Sequence, residues 1–292
     1  ANKGEIHKTF STNSNWPYSS WSVYVVYTPL TDSNFQIAVN LWFSNQADAN
    51  KTYGHIRDWN VSQVTDMSGA FQGRSMFNED IGKWDVSSVE NMNHMFINAS
   101  SFNQPIRDWN VSSVTNMRNM FNQASVFNQP IGDWNVSSVT EFGVMFYRAF
   151  AFDQDIGNWE VSSSLGFQSM FNGAKSFNQD ISVWDIHSNS NLSQMFRGAQ
   201  AFDQDLSNWN VSFDNNMSMI FLATSSLSEH NKGLMHNAFS SNSSWPYDWR
   251  QYVVIDDSNF QTAINQWFSN QADANSTYGH ISDWNVSAVT NM

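Results

Sequence analysis

Tryptophan returns every 25 residues, at Trp59, Trp84, Trp109, Trp134, Trp159, Trp184 and Trp209, with no insertion or deletion between copies. Around each lies the same phrase, as in the run from Phe102 through Trp109 and Met117 to Phe121. A unit this short cannot bury its own apolar face, so an exact period of this size implies a stack of like supersecondary units. Equivalent residues then lie one above another and form ladders. Ile56, Ile81, Ile106, Ile131, Ile156, Ile181 and Leu206 make one, and Val61 through Val211 another. Phe71, Phe96, Phe121, Phe146, Phe171, Phe196 and Phe221 form an unbroken column, as do Phe77 to Phe202 until Leu227 ends theirs. Burying such a side chain contributes about 1.5–3 kcal/mol, which offsets the ordering of a whole coil only when neighbours share faces.

The expected fold class is therefore a β-rich solenoid with a parallel sheet climbing one step per coil. At the strand spacing of ~4.8 Å its seven coils would be roughly 35 Å long. The polar Asn-Gln-Asp or Asn-Gln-Pro before each Ile suggests stacked, hydrogen-bonded amides. The valine at Val64, Val89, Val114 and Val139 is lost at Ser164, Asn189 and Asp214, so one face changes character in the later coils.

A larger period overlies the first. The stretch Lys3–Tyr18 returns as Lys232–Tyr247, and Asp32 and Phe43 return as Asp257 and Phe268. The division is a linker and cap unit at 1–54, seven coils at 55–228, a second linker and cap at 229–280, and the start of another stack at 281–292. A stack that starts and halts in this way is expected to be a window on a longer modular polypeptide. Phe35, Ala38, Val39, Trp42 and Phe43 fall at helical spacing, so a short amphipathic helix capped by Asp32 or Ser33 is expected to cover the entry coil. Trp21–Tyr27 and Tyr252–Ile255 read as β-rich runs after a Trp-Pro-Tyr turn.

Aromatics make up 15% of the chain and charged residues 13%, so neutral Asn, Ser and Gln carry solubility. The net charge of -13, with scattered Lys and Arg, excludes a nucleic-acid surface. No run is apolar enough for a membrane span, no signal segment opens the chain, and cysteine is absent.

The repeated Phe-Asn-Gln-Asp/Pro-Ile-Gly-x-Trp-Asn/Asp-Val-Ser-Ser-Val-Thr-Asn-Met-x-x-Met-Phe resembles the repeat of the BspA-type leucine-rich-repeat surface proteins, including the mycoplasma-type surface lipoprotein repeat. The resemblance implies a secreted or surface-displayed solenoid of leucine-rich-repeat type, used in adhesion or as structural material.

Periodic Trp could stack on sugars, but beside Ile and Val ladders a buried column is the simpler reading. The histidines show no metal-ligand spacing. Asp153, Asp155, Asp180, Asp203 and Asp205 fall in matching columns, where Ca²⁺ could relieve the repulsion of stacked carboxylates; solvated edge charge is the default, and no other cofactor is implied. Asn50, Asn98, Asn191, Asn216, Asn242 and Asn275 head glycosylation sequons. No nucleophile, base and orienter stand outside the periodic pattern, so an enzyme is not expected. The expected function is an extracellular filament, appendage or surface layer that self-associates; the alternative is a cell-surface adhesin for a glycan or host protein. Phe121→Ala should cost about 3–5 kcal/mol through the cavity it leaves, and Asn116→Ala on an exposed turn little. Equal shifts of the urea midpoint would overturn the ladder assignment.

Overall fold

The coils are joined by a main-chain hydrogen-bond ladder that alternates with turns. The chain is described by a computed structural model over residues 3–10, 13–15, 17–18, 26–187, 190–211 and 215–291. In the first coil the N–H groups of Met67, Gly69, Phe71 and Gly73 donate to the carbonyls of Asn91, Asn93, Met95 and Ile97 in the next, at 2.8–2.9 Å. The N–H groups between them, on Ala70, Gln72 and Arg74, fold back onto Met67, Gly69 and Phe71 at 3.0–3.2 Å. Every second donor thus binds the next coil and the others close turns. The pattern recurs at each step, up to Leu192, Gln194, Phe196 and Gly198 on the carbonyls of Asn216, Ser218, Ile220 and Leu222.

Overlapping turns have a conformational cost. In the turns 67–70 and 71–74 the third residue is Gly69 (φ 64°) or Gly73 (φ 71°), the place where a type II turn requires positive φ. The same two places in later coils are held by His94 and Asn98, Asn119 and Gln123, Val144 and Arg148, Ser169 and Gly173, Gln194 and Gly198, and Met219 and Ala223, all with positive φ.

The expected β-rich parallel-sheet solenoid is therefore corrected. Among the described residues there is no strand: parallel pairing is reduced to isolated bridges, from Asp66 with Asn91 up to Asn191 with Asn216, and Thr31 with Gln63 and Asp256 with Ala288 at the entries. A strand needs successive extended residues, and two left-handed residues per coil interrupt it. The leucine-rich-repeat description falls for the same reason, and the interior is built of Phe, Met, Trp, Ile and Val. In the second linker Arg250–Tyr252 is a 3-10 turn, and 253–255 forms no strand. Residues 21–25 of the first linker lie outside the described residues, as do Trp16, Asn189 and Asp214.

Rings fill the interior. Successive members of the Phe71 column lie 5.4–5.7 Å apart and nearly parallel, and those of the Phe77 column 5.7–6.2 Å. Within a coil the two columns meet face to face, as in Phe121 with Phe127 at 3.9 Å. Trp59 to Trp209 are buried. The indole N–H groups of Trp84, Trp109, Trp134, Trp159, Trp184 and Trp209 donate to the carbonyls of Ile56, Ile81, Ile106, Ile131, Ile156 and Ile181, at 2.8–3.2 Å. Each Trp therefore fills the core and ties its coil to the one before. Where the valine column ends, Ser164, Ser190 and Asn215 are fully buried. Ser164 and Ser190 donate to Thr140 and Ser164 carbonyls at 2.9 and 3.3 Å, and Asn215 donates to the carbonyls of His187 and Ser190. The later coils exchange apolar burial at this place for satisfied hydrogen bonds.

Six α-helices occur among the described residues: α1 (Lys3–Phe10), α2 (Phe35–Ser44), α3 (Gln46–Tyr53), α4 (Glu229–Phe239), α5 (Phe260–Ser269) and α6 (Gln271–Tyr278). The expected entry helix is two helices, broken at Asn45, whose side chain accepts the Asp48 N–H and starts α3. Asn34, rather than Asp32 or Ser33, occupies the cap of α2. Phe35, Ala38, Val39 and Trp42 are buried against the first coil, and Phe43 meets Phe71 and Phe77 at 6.3 and 5.8 Å.

Positive φ at non-glycine residues costs roughly 1–2 kcal/mol each, partly offset by the extra entropy glycine loses on folding. A Cβ on Gly73 would meet nothing within 4 Å, so Gly73→Ala isolates the backbone term and should lower stability by about 1 kcal/mol. Arg148→Gly, in the same column, should raise it by about 0.5–1 kcal/mol. Urea midpoints moving the opposite way in both variants would refute the turn assignment.

Candidate functional site

The stack carries polar ladders on its outside. The side-chain oxygen of Asn78 accepts the main-chain N–H of Asn103, Asn103 that of Asn128, Asn128 that of Asp153, Asp153 that of Asn178, and Asn178 that of Asp203, each at 2.8–2.9 Å. From Asn103 upward the same oxygens also accept the amides of Gln129, Gln154, Gln179 and Gln204. Asn and Asp are interchangeable here because only an acceptor is needed. Asp203 closes the column, taking the N–H of Ser228 and the amide of Asn231 at 2.8 Å.

This accounts for the acidic columns. Asp153 and Asp203 belong to the ladder, and Asp155, Asp180 and Asp205 each accept the N–H two residues on, at Gly157, Ser182 and Ser207. Among the described residues no group of three or more His, Asp or Glu converges on a metal-sized space. Burial pushes the Asp203 carboxyl up, but hydrogen bonds from Ser228 and Asn231 and the charge of Lys232 outweigh it and hold it below the ordinary range. Asp180 is lowered by Ser182, and Asp80 by the Gly82 N–H and then by Arg57.

Of the sequon asparagines, Asn98, Asn216 and Asn275 are exposed, Asn50 and Asn191 half-buried, and Asn242 buried at 6% exposure, out of reach of a transferase in the folded chain. Asn60, Asn110 and Asn135, in the Trp-Asn-Val-Ser phrase, accept both the N–H and the hydroxyl of the following Ser, the turn that Asp85 makes equally well.

Two of the surface grooves among the described residues border the coils. One, of about 500 Å³, lies where the entry helices meet the first coil, between Phe43, Arg74, Met76 and Phe77; Arg74 stands over the Phe43 ring at 4.3 Å. The other, of about 390 Å³, runs across three coils between Asn98, Ser100, Gln123, Ser125, Arg148 and Phe150.

The far end of the stack is closed by residues that periodicity does not reveal. Trp245, Tyr247 and Trp249 pack on the Phe221 ring at 6.4, 6.3 and 5.9 Å. In lower coils the N–H of the equivalent Phe binds a carbonyl of the next coil; that of Phe221 donates to the Tyr247 hydroxyl at 2.9 Å. Behind this, buried His236 on α4 accepts the Trp245 indole N–H at Nδ1, so its proton sits on Nε2, 3.1 Å from the Ser276 carbonyl on α6. Burial lowers its pKa, against a smaller opposing effect of the Ser276 hydrogen bond. Arg250 reaches the Asn275 carbonyl and pairs with Asp248. Gly233 lets α4 approach the chain closely, since a Cβ there would lie 2.1 Å from the Tyr252 carbonyl oxygen. The sequence signal for this cluster is the second occurrence of Trp-Pro-Tyr.

The next entry repeats the first. Trp42 meets Trp59 edge-on at 6.1 Å and 87°, and Trp267 meets Trp284 at 5.9 Å and 83°. Asp32 accepts from Thr65 and the N–H of Asp66, and Asp257 from Thr290 and the N–H of Asn291.

These features define a turn-built, aromatic-cored repeat protein with helical closures. The family described as Mycoplasma protein of unknown function, DUF285, matches residues 38–159 and 130–234. The matches overlap and cover more than half of the chain, which belongs to this family. No curated protein and no solved structure matched.

Carboxylates lowered in the fold contribute stability above the unfolded value of ~3.9, and that contribution is lost as pH falls through and below about 4. His236, also lowered, favours the fold when neutral, so its contribution declines as pH falls below about 6.5. Urea midpoints should therefore drop in both ranges. Asp203→Asn, copying Asn178, should preserve the fold and make the drop below about pH 4 shallower; an unchanged acid limb would remove Asp203 from it.

Proposed function

We propose that the chain is a non-enzymatic structural protein of the cell exterior, in which modules join end to end into a filament, appendage or surface layer. The observation that carries this reading is the junction: α4 and the Trp245–Trp249 cluster close one stack, and α6, bonded to that closure, opens the next with the entry geometry of the first. A chain of such units is a rod whose links are as specific as its coils. The resemblance to surface-protein repeats supports the location, and the sparse charge among Asn, Ser and Gln suits a surface that associates rather than repels.

A second reading, a surface adhesin, is favoured by the groove at Phe150. Its exposed ring, amides and hydroxyls are the chemistry that saccharides use, and Lys175 lies 4.9 Å from that ring. Binding on a glycan array that Phe150→Ala abolishes would support it.

Electron microscopy of the protein at increasing concentration tests the first reading. Rods with a constant repeat along their axis are the expected result. Dispersed single particles at every concentration would sink it.

A further inference from the structure

The joint between the two stacks buries an ionisable side chain, and the coils bury none. Among the described residues the buried side chains that can ionise are His236 and Tyr278 alone, and burial pushes the Tyr278 hydroxyl up, further from neutrality. Of the other histidines, His55, His187, His230 and His280 are exposed and His7 and His94 half-buried. His236 is 3% exposed, and a groove of about 320 Å³ between Ser240, Trp245, Asp248, Arg250 and Ser276 reaches its ring. Both ring nitrogens are used: Nδ1 accepts the Trp245 indole N–H and Nε2 faces the Ser276 carbonyl, each at 3.1 Å. One bond runs to the cluster that closes a stack, the other to the helix that opens the next. Trp245 in turn packs on Phe239, Tyr247 and Trp249 at 5.3–5.4 Å and on Phe221 at 6.4 Å.

We propose that His236 is an acid-sensitive latch on this closure: when its Nδ1 takes a proton from solvent it releases Trp245 and loosens the aromatic cluster over Phe221, while the coils stay folded. The neutral ring has one donor and one acceptor, and its site offers one acceptor and one donor to match. An imidazolium has two donors and no acceptor, and an indole can only donate. After protonation two N–H groups therefore face each other on the Trp245 side with no acceptor between them. The Ser276 side keeps its bond, because a carbonyl accepts from a charged ring at least as well as from a neutral one. The break thus falls between α4 and Trp245 and not between α4 and α6. Desolvation further penalises the cation at so buried a place. The charges around the ring do not rescue it: Asp248 favours the cation and Arg250 opposes it, and the two are paired with each other at 2.6 Å. On α4 itself Lys232 lies 5.3 Å from the Tyr252 ring, Glu229 and His230 stand at the opposite end, and on α6 the one charged residue, Asp273, is bonded to Asn270. The closed joint goes with the neutral ring and the loosened one with the charged ring, so the closed form is favoured at neutral pH and loses ground as pH falls below about 6.5. The latch regulates the junction of the end-to-end reading and rests on that reading only for its biological setting.

Amide hydrogen exchange of the full chain between about pH 7.5 and about pH 5, corrected for the intrinsic pH dependence of exchange, tests it. Protection in the peptides carrying Phe221 and Trp245 should fall by about tenfold as pH drops, the order expected when a hydrogen bond gives way to two facing donors. Protection around Phe121 should stay constant. His236→Asn supplies an amide oxygen that accepts from Trp245 and does not protonate, so protection at Phe221 should then be level across the range. A second measurement on the unaltered chain covers the case in which that variant does not fold. The Trp245 indole N–H resonance, identified by its loss in Trp245→Phe, should shift along the His236 titration while the ladder indoles from Trp84 to Trp209 do not. Level protection at Phe221 in the unaltered chain overturns the latch, as does a loss shared equally by Phe121 or one that persists in His236→Asn. Rod formation is measured separately, so a His236-dependent loss in protein that forms no rods removes the filament reading and leaves the latch.

Discussion

The structure depends on the strict equality of its coils. An N–H such as that of Phe71 finds the carbonyl of Met95 only because the next coil presents its backbone in identical register, and the same holds for every donor of the ladder. Register also places Phe over Phe and Trp under the Ile carbonyl of its neighbour. One inserted residue would misalign the bonds, the rings and the outer amides together. That coupling explains why the 25-residue step tolerates no indel while side chains at exposed places vary freely.

The coils use two kinds of glue with different demands. Ring columns supply non-directional burial and accept drift, as when Met67, Met92 and Met117 give way to Phe142 and Phe167 with the interior still filled. The polar ladders are directional and accept only what preserves an acceptor, hence Asn at 178 and Asp at 203 in the same column. Where burial is lost, at Ser164, Ser190 and Asn215, hydrogen bonds to main-chain carbonyls replace it. These three side chains are tolerable inside because each has a hydrogen-bond partner that offsets its desolvation.

The sequence disclosed the stack through its period, and the columns through identity of residue type at each place. It disclosed less about backbone conformation. The exact period and the like-on-like columns suggested a parallel sheet, whereas the chain turns through the segment from Met67 to Arg74. The signal was present in Gly69, Gly73, Gly173 and Gly198, which share two columns and, lacking a Cβ, accept left-handed φ without strain. It was masked because His94, Asn119, Val144 and Arg148 occupy the same columns elsewhere. Once hydrogen bonds on both sides fix a position, the stack supplies the strain energy and the local residue preference stops being diagnostic. The closure was hidden for a different reason: Trp245, Tyr247 and Trp249 lie outside the short period, and their role is set by a surface, the top of Phe221, that exists only after the coils have assembled.

A stack of this kind must solve its ends by means other than those that build its middle. An interior coil has its donors met by the next, so a final coil presents aimed N–H groups and bare rings, the liability of any unpaired edge. Ending on another coil moves the problem up one step. Ending on helices solves it, because a helix satisfies its own backbone and offers side chains alone. At the entry, α2 brings Phe35, Trp42 and Phe43 to the first rings, and Asp32 supplies carboxylate oxygens to the N–H groups of Thr65 and Asp66, which have no preceding coil. At the exit Tyr247 lends a hydroxyl oxygen in place of a carbonyl. Both closures therefore work by imitation, a side-chain oxygen standing where a main-chain acceptor would be. Because the imitation is carried on a linker that leads straight into the next entry, terminating one stack and positioning the next are the same structural event.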